Sequence, residues 1–427
     1  MATQTISDIT SILAKQRDFF ESNQSRDIDF RIEQLIKLKK AIKANENNIY
    51  EALSADFKKS QFETYATEIG VLYEEISCML KNIKKWATPQ LVTDTIANFP
   101  SRNYIYNDPY GVCLIIGAWN YPLSLTLAPV IGAIAAGNTC IIKPPRASIH
   151  AYRIIQKIIA DNFNENYLTV LDEYSDNNEM LSHRYDYIFF TGSVEVGRTI
   201  AKAAAEFLTP TTLELGGKSP CIIDKQADIV VAAKRVAWGK FLNGGQTCIA
   251  PDYLLLHHDV KEKFYTAFKN SLKEFYGNNP QDSADFPRII NDKHFNRLSS
   301  MITDGKIITG GKTDEDTRYI APTLIEIDSL EHPLMRDEIF GPILPVLTIH
   351  SIDEAISIVK KFEKPLAFYI FSNNYANQQK CLHTVQFGGG CINDTLAHFV
   401  NDGLPFGGVG NSGIGAYHGK FSFDTFT

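Results

Sequence analysis

At 427 residues the chain is long for a single hydrophobic core and predicts two domains or slightly more. Its 44% apolar and 21% charged content describe a folded globular protein, not a disordered one. A net charge of -7 argues against nucleic acid or an anionic membrane surface as its main partner.

The opening stretch, Met1 to Asp8, has no cationic region followed by an apolar one, so no signal peptide is expected. Residues 1–86 read as helical, with Ile69, Leu72, Tyr73, Ile76, Leu80, Ile83 and Trp86 at three- and four-residue spacing. Residues 90–108 are richer in Thr, Asn, Asp and Pro and predict an extended arm. The pattern then changes. Short apolar runs at 112–116, 139–142, 168–171 and 187–190 predict strands. Between them lie the loop Gly117-Ala118-Trp119-Asn120-Tyr121-Pro122, an apolar window at 123–137, and a helix carrying Ala151, Ile154, Ile155, Ile158 and Ile159. The apolar window is shorter than the roughly 20 residues of a bilayer span and holds Ser124, Thr126 and Pro129, so a buried helix is expected. A helix with Val196, Ile200, Ala203 and Phe207 follows the fourth strand. Apolar strands alternating with helices imply a parallel sheet covered on both faces.

After Gly217 the alternation resumes, with helices near 227–242, through Val260 to Leu272 and around Ala355 and Ile358, and strands at 253–257, 366–371 and 390–393. A second α/β domain is expected. Seven cysteines lie scattered without a CxxC pair, which suggests a reducing, cytoplasmic setting with neither a disulfide framework nor a metal site.

The segment Gly244-Gly245-Gln246-Thr247-Cys248-Ile249-Ala250-Pro251 stands out. A free cysteine is usually a small buried hydrophobe. Here two glycines let backbone N–H groups approach a bound oxygen, as suits a thiolate that attacks a carbonyl and needs its oxyanion held. A literal GxGxxG, Gly408 to Gly413, lies outside any strand–helix context and reads instead as a loop passing close to another backbone. Phe190-Thr191-Gly192-Ser193-Val194-Glu195-Val196-Gly197 is the better phosphate site, since it follows a strand and opens a helix whose N–H groups are free. Lys143 ends a strand where ligands sit in open parallel sheets.

Trp119-Asn120-Tyr121-Pro122, Lys143-Pro144, Phe190-Thr191-Gly192-Ser193 with Gly197, Leu213-Glu214-Leu215-Gly216-Gly217-Lys218, Gly245-Gln246-Thr247-Cys248, Glu338-Ile339-Phe340-Gly341-Pro342 and Pro405-Phe406-Gly407-Gly408 occur in one order and spacing. In this the chain resembles the aldehyde dehydrogenase superfamily over nearly its whole length, and in particular its class 3 and fatty-aldehyde branch. The resemblance implies two doubly wound, Rossmann-like α/β domains plus a small oligomerisation arm. The dinucleotide-binding domain would take residues 1–88 and 107–214, the catalytic domain 215–395, and the arm with the C-terminal segment 89–106 and 396–427. Cys248 would be the nucleophile, Asn120 an oxyanion donor and Glu214 the base for hydrolysis of the thioester. Trp119, Lys143, Gly192, Ser193, Gly197, Leu215, Glu338 and Phe340 would form the NAD or NADP site. Medium- to long-chain aliphatic or aromatic aldehydes would be oxidised to carboxylic acids by a homodimer without a membrane anchor. Tyr121, Trp238 and aromatic residues after His398 are expected on the substrate wall.

Two departures matter. Where the family usually has Ser and Glu after Lys-Pro, this chain has Pro145 and Arg146. A carboxylate there accepts hydrogen bonds from ribose hydroxyls, whereas Arg146 accepts none and suits a 2′-phosphate, so NADP is expected to be used at least as well as NAD, while the loss of the Ser hydroxyl cuts the other way. Members of the branch also usually continue some tens of residues past the Ser-Phe-x-Thr-Phe segment, whereas this sequence stops at Thr427. A CoA-acylating dehydrogenase and a non-catalytic binding protein stay open as alternatives. Glu214 argues against the first and the set Cys248, Glu214, Asn120 and Glu338 against the second.

Overall fold

The computed structural model describes residues 8–302 and 305–427. Most of the opening stretch read above for a signal peptide lies outside the described residues. The chain begins with helices α1 (Ile9–Glu21), α2 (Ile28–Ala44), α3 (Glu46–Phe57), α4 (Gln61–Thr64) and α5 (Gly70–Trp86), with a π-helical turn at Tyr65–Ile69 between the last two. The apolar stripe works as expected in α5, where Leu72, Ile76 and Ile83 are buried. A hairpin of β1 (Gln90–Val92) and β2 (Asn103–Ile105) follows, antiparallel and exposed.

Next come β3 (Val112–Ile116), α6 (Ser124–Ala136), β4 (Thr139–Lys143), α7 (Ile149–Asn162), β5 (Leu168–Val170), α8 (Asn177–Leu181), β6 (Tyr187–Thr191), α9 (Val194–Ala205) and β7 (Thr211–Glu214). All thirteen residues of α6 are buried, which explains its uniformly apolar sequence. In α9 the buried side is Gly197, Ile200 and Ala204. Ile200 is buried as expected, whereas Val196 is exposed and Phe207 lies beyond the helix end and is exposed.

The second half contains β8 (Pro220–Ile223), α10 (Ile229–Phe241), β9 (Tyr253–His257), α11 (Lys261–Tyr276), α12 (Asp292–Ser299), β10 (Lys306–Thr309), β11 (Thr313–Asp314), β12 (Tyr319–Ile320), β13 (Thr323–Glu326), β14 (Ile343–Ile349), α13 (Ile352–Val359), β15 (Ala367–Phe371), α14 (Tyr375–Thr384) and β16 (Gly389–Ile392). The chain closes with β17 (Gly413–Ile414) and α15 (Lys420–Thr425). Pattern reading missed β8, α12, α14 and every strand from β10 to β14. Several of these are only two to four residues long, and β14 carries a proline, Pro345, that masks a seven-residue strand.

Two sheets result. The first has the order β17-β7-β6-β3-β4-β5 and is parallel except for β17. The second has the order β10-β13-β14-β9-β8-β15-β16 and is parallel except for β10. In the first sheet the chain runs outward from β3 through β4 to β5, then returns to β6 on the other side. The carboxyl ends of β3 and β6 therefore flank a switch point, where open α/β sheets bind ligands. The Gly408–Gly413 loop is where backbones crowd: a Cβ on Gly408 would lie 2.1 Å from the Ser412 carbonyl oxygen. Part of the segment grouped with the arm is built into the first lobe, since β17 pairs with β7 and α15 packs on α6.

Candidate active site

One cavity of about 1580 Å³ opens at that switch point. Trp119, Asn120, Gly192, Ser193, Glu214, Leu215, Cys248, Glu338 and Phe340 all line it. Of the residues expected at the site, Lys143 and Gly197 do not. Lys143 Nζ donates to the Asp172 carbonyl (2.8 Å), and its side chain is buried against Tyr152. Gly197 makes room for the neighbour that does line the cavity: a Cβ there would lie 2.6 Å from Leu215. Both therefore shape the site from behind.

Cys248 sits after the turn at Asn243, Gly244 and Gly245, with φ of +53°, +63° and +74°. Gly245 has no room for a side chain, because a Cβ would meet the Gly341 carbonyl oxygen at 2.3 Å. Gln246 ties the turn down. Its amide donates to the carbonyls of Asn243 (3.0 Å) and Arg288 (3.1 Å), and its oxygen accepts the Ile290 N–H (3.0 Å). The Asn120 amide donates to the Gln246 carbonyl at 3.0 Å, and Tyr121 Oη lies 2.6 Å from Thr247 Oγ1. The loop after β3 thus lies directly against the cysteine loop.

Burial, with Glu338 and Glu214 nearby, pushes the Cys248 thiol up to about 12. Glu214 is buried, and neither carboxylate oxygen has a partner among the described residues. Burial drives its carboxyl well above the ordinary carboxylate range. A buried acid left unpaired at a cavity wall is costly, and such groups cluster at functional sites.

At the other end, Ser193 caps α9, its hydroxyl accepting the Val196 N–H (3.4 Å). Glu338 lies over Gly216, where a Cβ would meet its carboxylate at 2.1 Å, and its carboxyl is raised to about 8 by burial and Asp252. Phe340, at φ +54°, stands edge-on to Trp119 at 5.2 Å. The loop carrying both is anchored by Lys218, whose ammonium meets Asp252 (2.5 Å) and the carbonyls of Leu334 (2.8 Å) and Asp337 (2.9 Å). Arg146 lines the cavity, stacked 5.1 Å over the Tyr174 ring, with no hydrogen bond or ion pair to any described residue. The expected wall residues Tyr121 and Trp238 are present, and Phe399 supplies the aromatic expected after His398.

These residues fit a dinucleotide. A capped helix N-terminus faces the cavity for phosphates, a carboxylate and an aromatic ring line it with the cysteine, and the Arg146 guanidinium lies on its wall. The chain matches the Aldehyde dehydrogenase family over residues 1–427.

The chain belongs to the aldehyde dehydrogenase family.

It is 49% identical to the 4,4'-diaponeurosporen-aldehyde dehydrogenase of Staphylococcus aureus over 96% of this chain and 90% of that protein. It is 44% identical to the dimeric NADP-preferring aldehyde dehydrogenase of Rattus norvegicus, over 99% of this chain and 93% of that protein. The structure of S. aureus AldH in a substrate-bound state superposes with a TM-score of 0.96 at 47% identity, covering 98% of this chain and 92% of that one. The chain is thus an oxidoreductase that oxidises aldehydes with NAD(P). Among the described residues no helix is long and apolar enough to cross a membrane.

Two functional candidates escaped the sequence reading, Glu63 and Asn243. Glu63 Oε1 accepts the Asn243 N–H at 2.7 Å, and the Asn243 amide donates to the Asn120 carbonyl at 2.7 Å. A lone Glu in a helical stretch carries no motif, so nothing in the sequence alone marks it.

Proposed function

We propose that Cys248 is the nucleophile of aldehyde oxidation in this chain. Its thiolate adds to the aldehyde carbon and forms a thiohemiacetal. The Asn120 amide and the Cys248 backbone N–H hold the oxyanion. Bound NAD(P) supplies a hydride acceptor. Cys248 is left carrying the acyl group as a thioester. Glu214, in its ionised form, takes a proton from water, the resulting hydroxide attacks the thioester, and the carboxylic acid leaves as the departing thiolate takes that proton back from Glu214. Glu338 would hold ribose hydroxyls, and Gly192 and Ser193, with the α9 N-terminus, the pyrophosphate. Trp119, Leu215 and Phe340 would flank the nicotinamide end, and Lys143 and Gly197 act from behind the wall.

The observation that supports this reading is the meeting of Cys248, Asn120 and the unpartnered Glu214 in one cavity that reaches the α9 N-terminus. Reduced-cofactor formation, measured by absorbance on wild type and Cys248→Ala, tests it. Turnover lost in the variant is the expected result, and turnover that survives it overturns the assignment.

The substrate wall, with Phe62, Tyr121, Trp238, Leu242, Phe275 and Phe399, is predominantly apolar and aromatic. This favours medium- to long-chain aliphatic or aromatic aldehydes. We take the first sheet with its helices as the dinucleotide-binding domain and the second as the catalytic one. We take the β1–β2 hairpin as the arm of a cytoplasmic homodimer, since Leu91, Val92, Ile96, Phe99 and Ile105 on it are exposed. Light scattering on the wild type and on a Leu91→Asp, Ile96→Asp variant tests the dimer.

A further inference from the structure

The segment from Lys59 to Glu68 touches both loops of the site. At its start, Lys59 Nζ meets Glu68 Oε1 at 3.1 Å, with both side chains fully buried. Glu68 Oε2 accepts the N–H groups of Leu123 (2.8 Å) and Ser124 (3.1 Å), just after Asn120 and Tyr121. The Lys59 ammonium also sits 4.4 Å over the Tyr121 ring. Glu63, in the middle, reaches the other loop through Asn243. In a regular α-helix, residues five apart point roughly 140° away from each other. The π turn at Tyr65–Ile69 widens the helix here, and so allows Glu63 and Glu68 to work on neighbouring loops.

Asn243 is the joint. It is a non-glycine residue at φ +53°, the first of three consecutive left-handed residues before Cys248. Its backbone N–H is held by Glu63, and its side chain spans the two loops, donating to the carbonyls of Asn120 (2.7 Å) and Gln246 (3.2 Å). A left-handed non-glycine residue persists only where its surroundings hold it.

We propose that Glu63 is a positioning residue for the oxidation, acting through Asn243 to fix the Asn120 amide against the Cys248 loop. The inference rests on the roles assigned above to Cys248 and Asn120. Glu63 lines the same cavity as Cys248, and its carboxylate is engaged by the Asn243 N–H. It holds the geometry in which the oxyanion donors and the thiol face each other, and a displacement of about 1 Å there lowers rates about a hundredfold.

The test is steady-state kinetics on Glu63→Ala, Glu63→Gln, Asn243→Asp and the double variant Glu63→Ala/Asn243→Asp, with Cys248→Ala alongside and thermal melts on each. Glu63→Ala should lower kcat at least tenfold, with the KM values for aldehyde and NAD(P) within about twofold of wild type. Glu63→Gln, whose amide oxygen accepts the same N–H, should recover most of kcat. Asn243→Asp, which keeps the shape but loses both donated bonds, should match Glu63→Ala, and the double variant should fall little further, as for two parts of one device. If Glu63→Ala does not fold, Asn243→Asp and Glu63→Gln still decide. An unchanged kcat in Glu63→Ala or Asn243→Asp, an equal loss in Glu63→Gln, or a loss confined to KM overturns the proposal. Turnover surviving in Cys248→Ala would instead overturn the nucleophile assignment.

Discussion

The side-chain amide of Asn120 donates to the carbonyl oxygen of Gln246, two residues before Cys248. The loop after the first strand of one sheet is thereby fastened to the cysteine loop of the other half of the chain. The amide already stands beside the thiol's loop before any substrate enters, so little reorganisation is needed for it to serve a developing oxyanion. Asn120→Ala is expected to lower kcat about 10²- to 10³-fold, with little change in aldehyde KM. A tenfold rise in KM with intact kcat would assign Asn120 to substrate binding instead.

Cys248 should alkylate slowly at neutral pH. Its thiol lies near 12 in the structure because burial and the carboxylates of Glu338 and Glu214 disfavour the thiolate. The thiolate fraction then grows about tenfold per pH unit below that value. Iodoacetamide labelling of Cys248, followed by mass spectrometry, should rise with that slope between pH 7 and 9. Glu338→Gln removes a like charge and should speed labelling, more at pH 9 than at pH 7, because the Glu338 carboxyl titrates near 8. A pH-independent rate would contradict this picture.

Glu214→Gln is expected to cut kcat about 10²- to 10⁴-fold and to change stability with a definite sign. The Glu214 carboxyl is raised by burial, so the folded chain holds its proton more tightly than the unfolded chain does. Stability is full below the unfolded value and is lost as pH climbs past it. The melting temperature of Glu214→Gln relative to wild type should therefore rise from pH 5 to pH 8. A difference that stays constant with pH would show that Glu214 is not carried uncharged into the fold.

Arg146, unpaired and stacked on Tyr174, should decide between the two dinucleotides. A charge-assisted hydrogen bond of about 1.5–3 kcal/mol corresponds to roughly 10- to 100-fold in affinity. Arg146→Glu should lower the ratio of kcat/KM for NADP over NAD by that factor. A strong NAD preference in the wild type that the variant leaves unchanged would remove Arg146 from cofactor selection.

Asp252→Ala strips the Lys218 ammonium of its carboxylate in the interior, where both side chains are almost wholly buried. Breaking such a pair from one side costs about 3–5 kcal/mol, readable by urea titration. Asp252 Oδ1 also accepts the Ile339 N–H at 2.9 Å, between Glu338 and Phe340. The NAD(P) KM should therefore rise in the same variant. Stability lost without any change in KM would separate the anchor from the cofactor loop.

Much of this site was legible from residue order, because glycines, a cysteine and strand-end polar residues leave marks that period and turn chemistry reveal. Val112 to Ile116 and Tyr187 to Phe190 read as buried strands since both sheet faces are covered, and the Gly408–Gly413 loop announced a close backbone approach. What stayed hidden depends on distance in space. Glu63 and Asn243 are 180 residues apart and meet only when the folded halves close. Lys143 reads as a ligand because strand ends often hold one, and its bond to the Asp172 carbonyl is a contact that residue order does not show. The short strands β10 to β13 carry too few residues for alternation to register.

The pairing of β17 with β7 bears on how the protein is made. Strand β7 ends at Glu214, and its partner on the sheet edge is synthesised about 200 residues later. At about 5–20 residues per second, the growing polypeptide carries that open edge for roughly 10–40 s. An unpaired strand edge invites other extended chains. That edge is closed only once Gly413 and Ile414 have emerged and paired with Glu214 and Leu213.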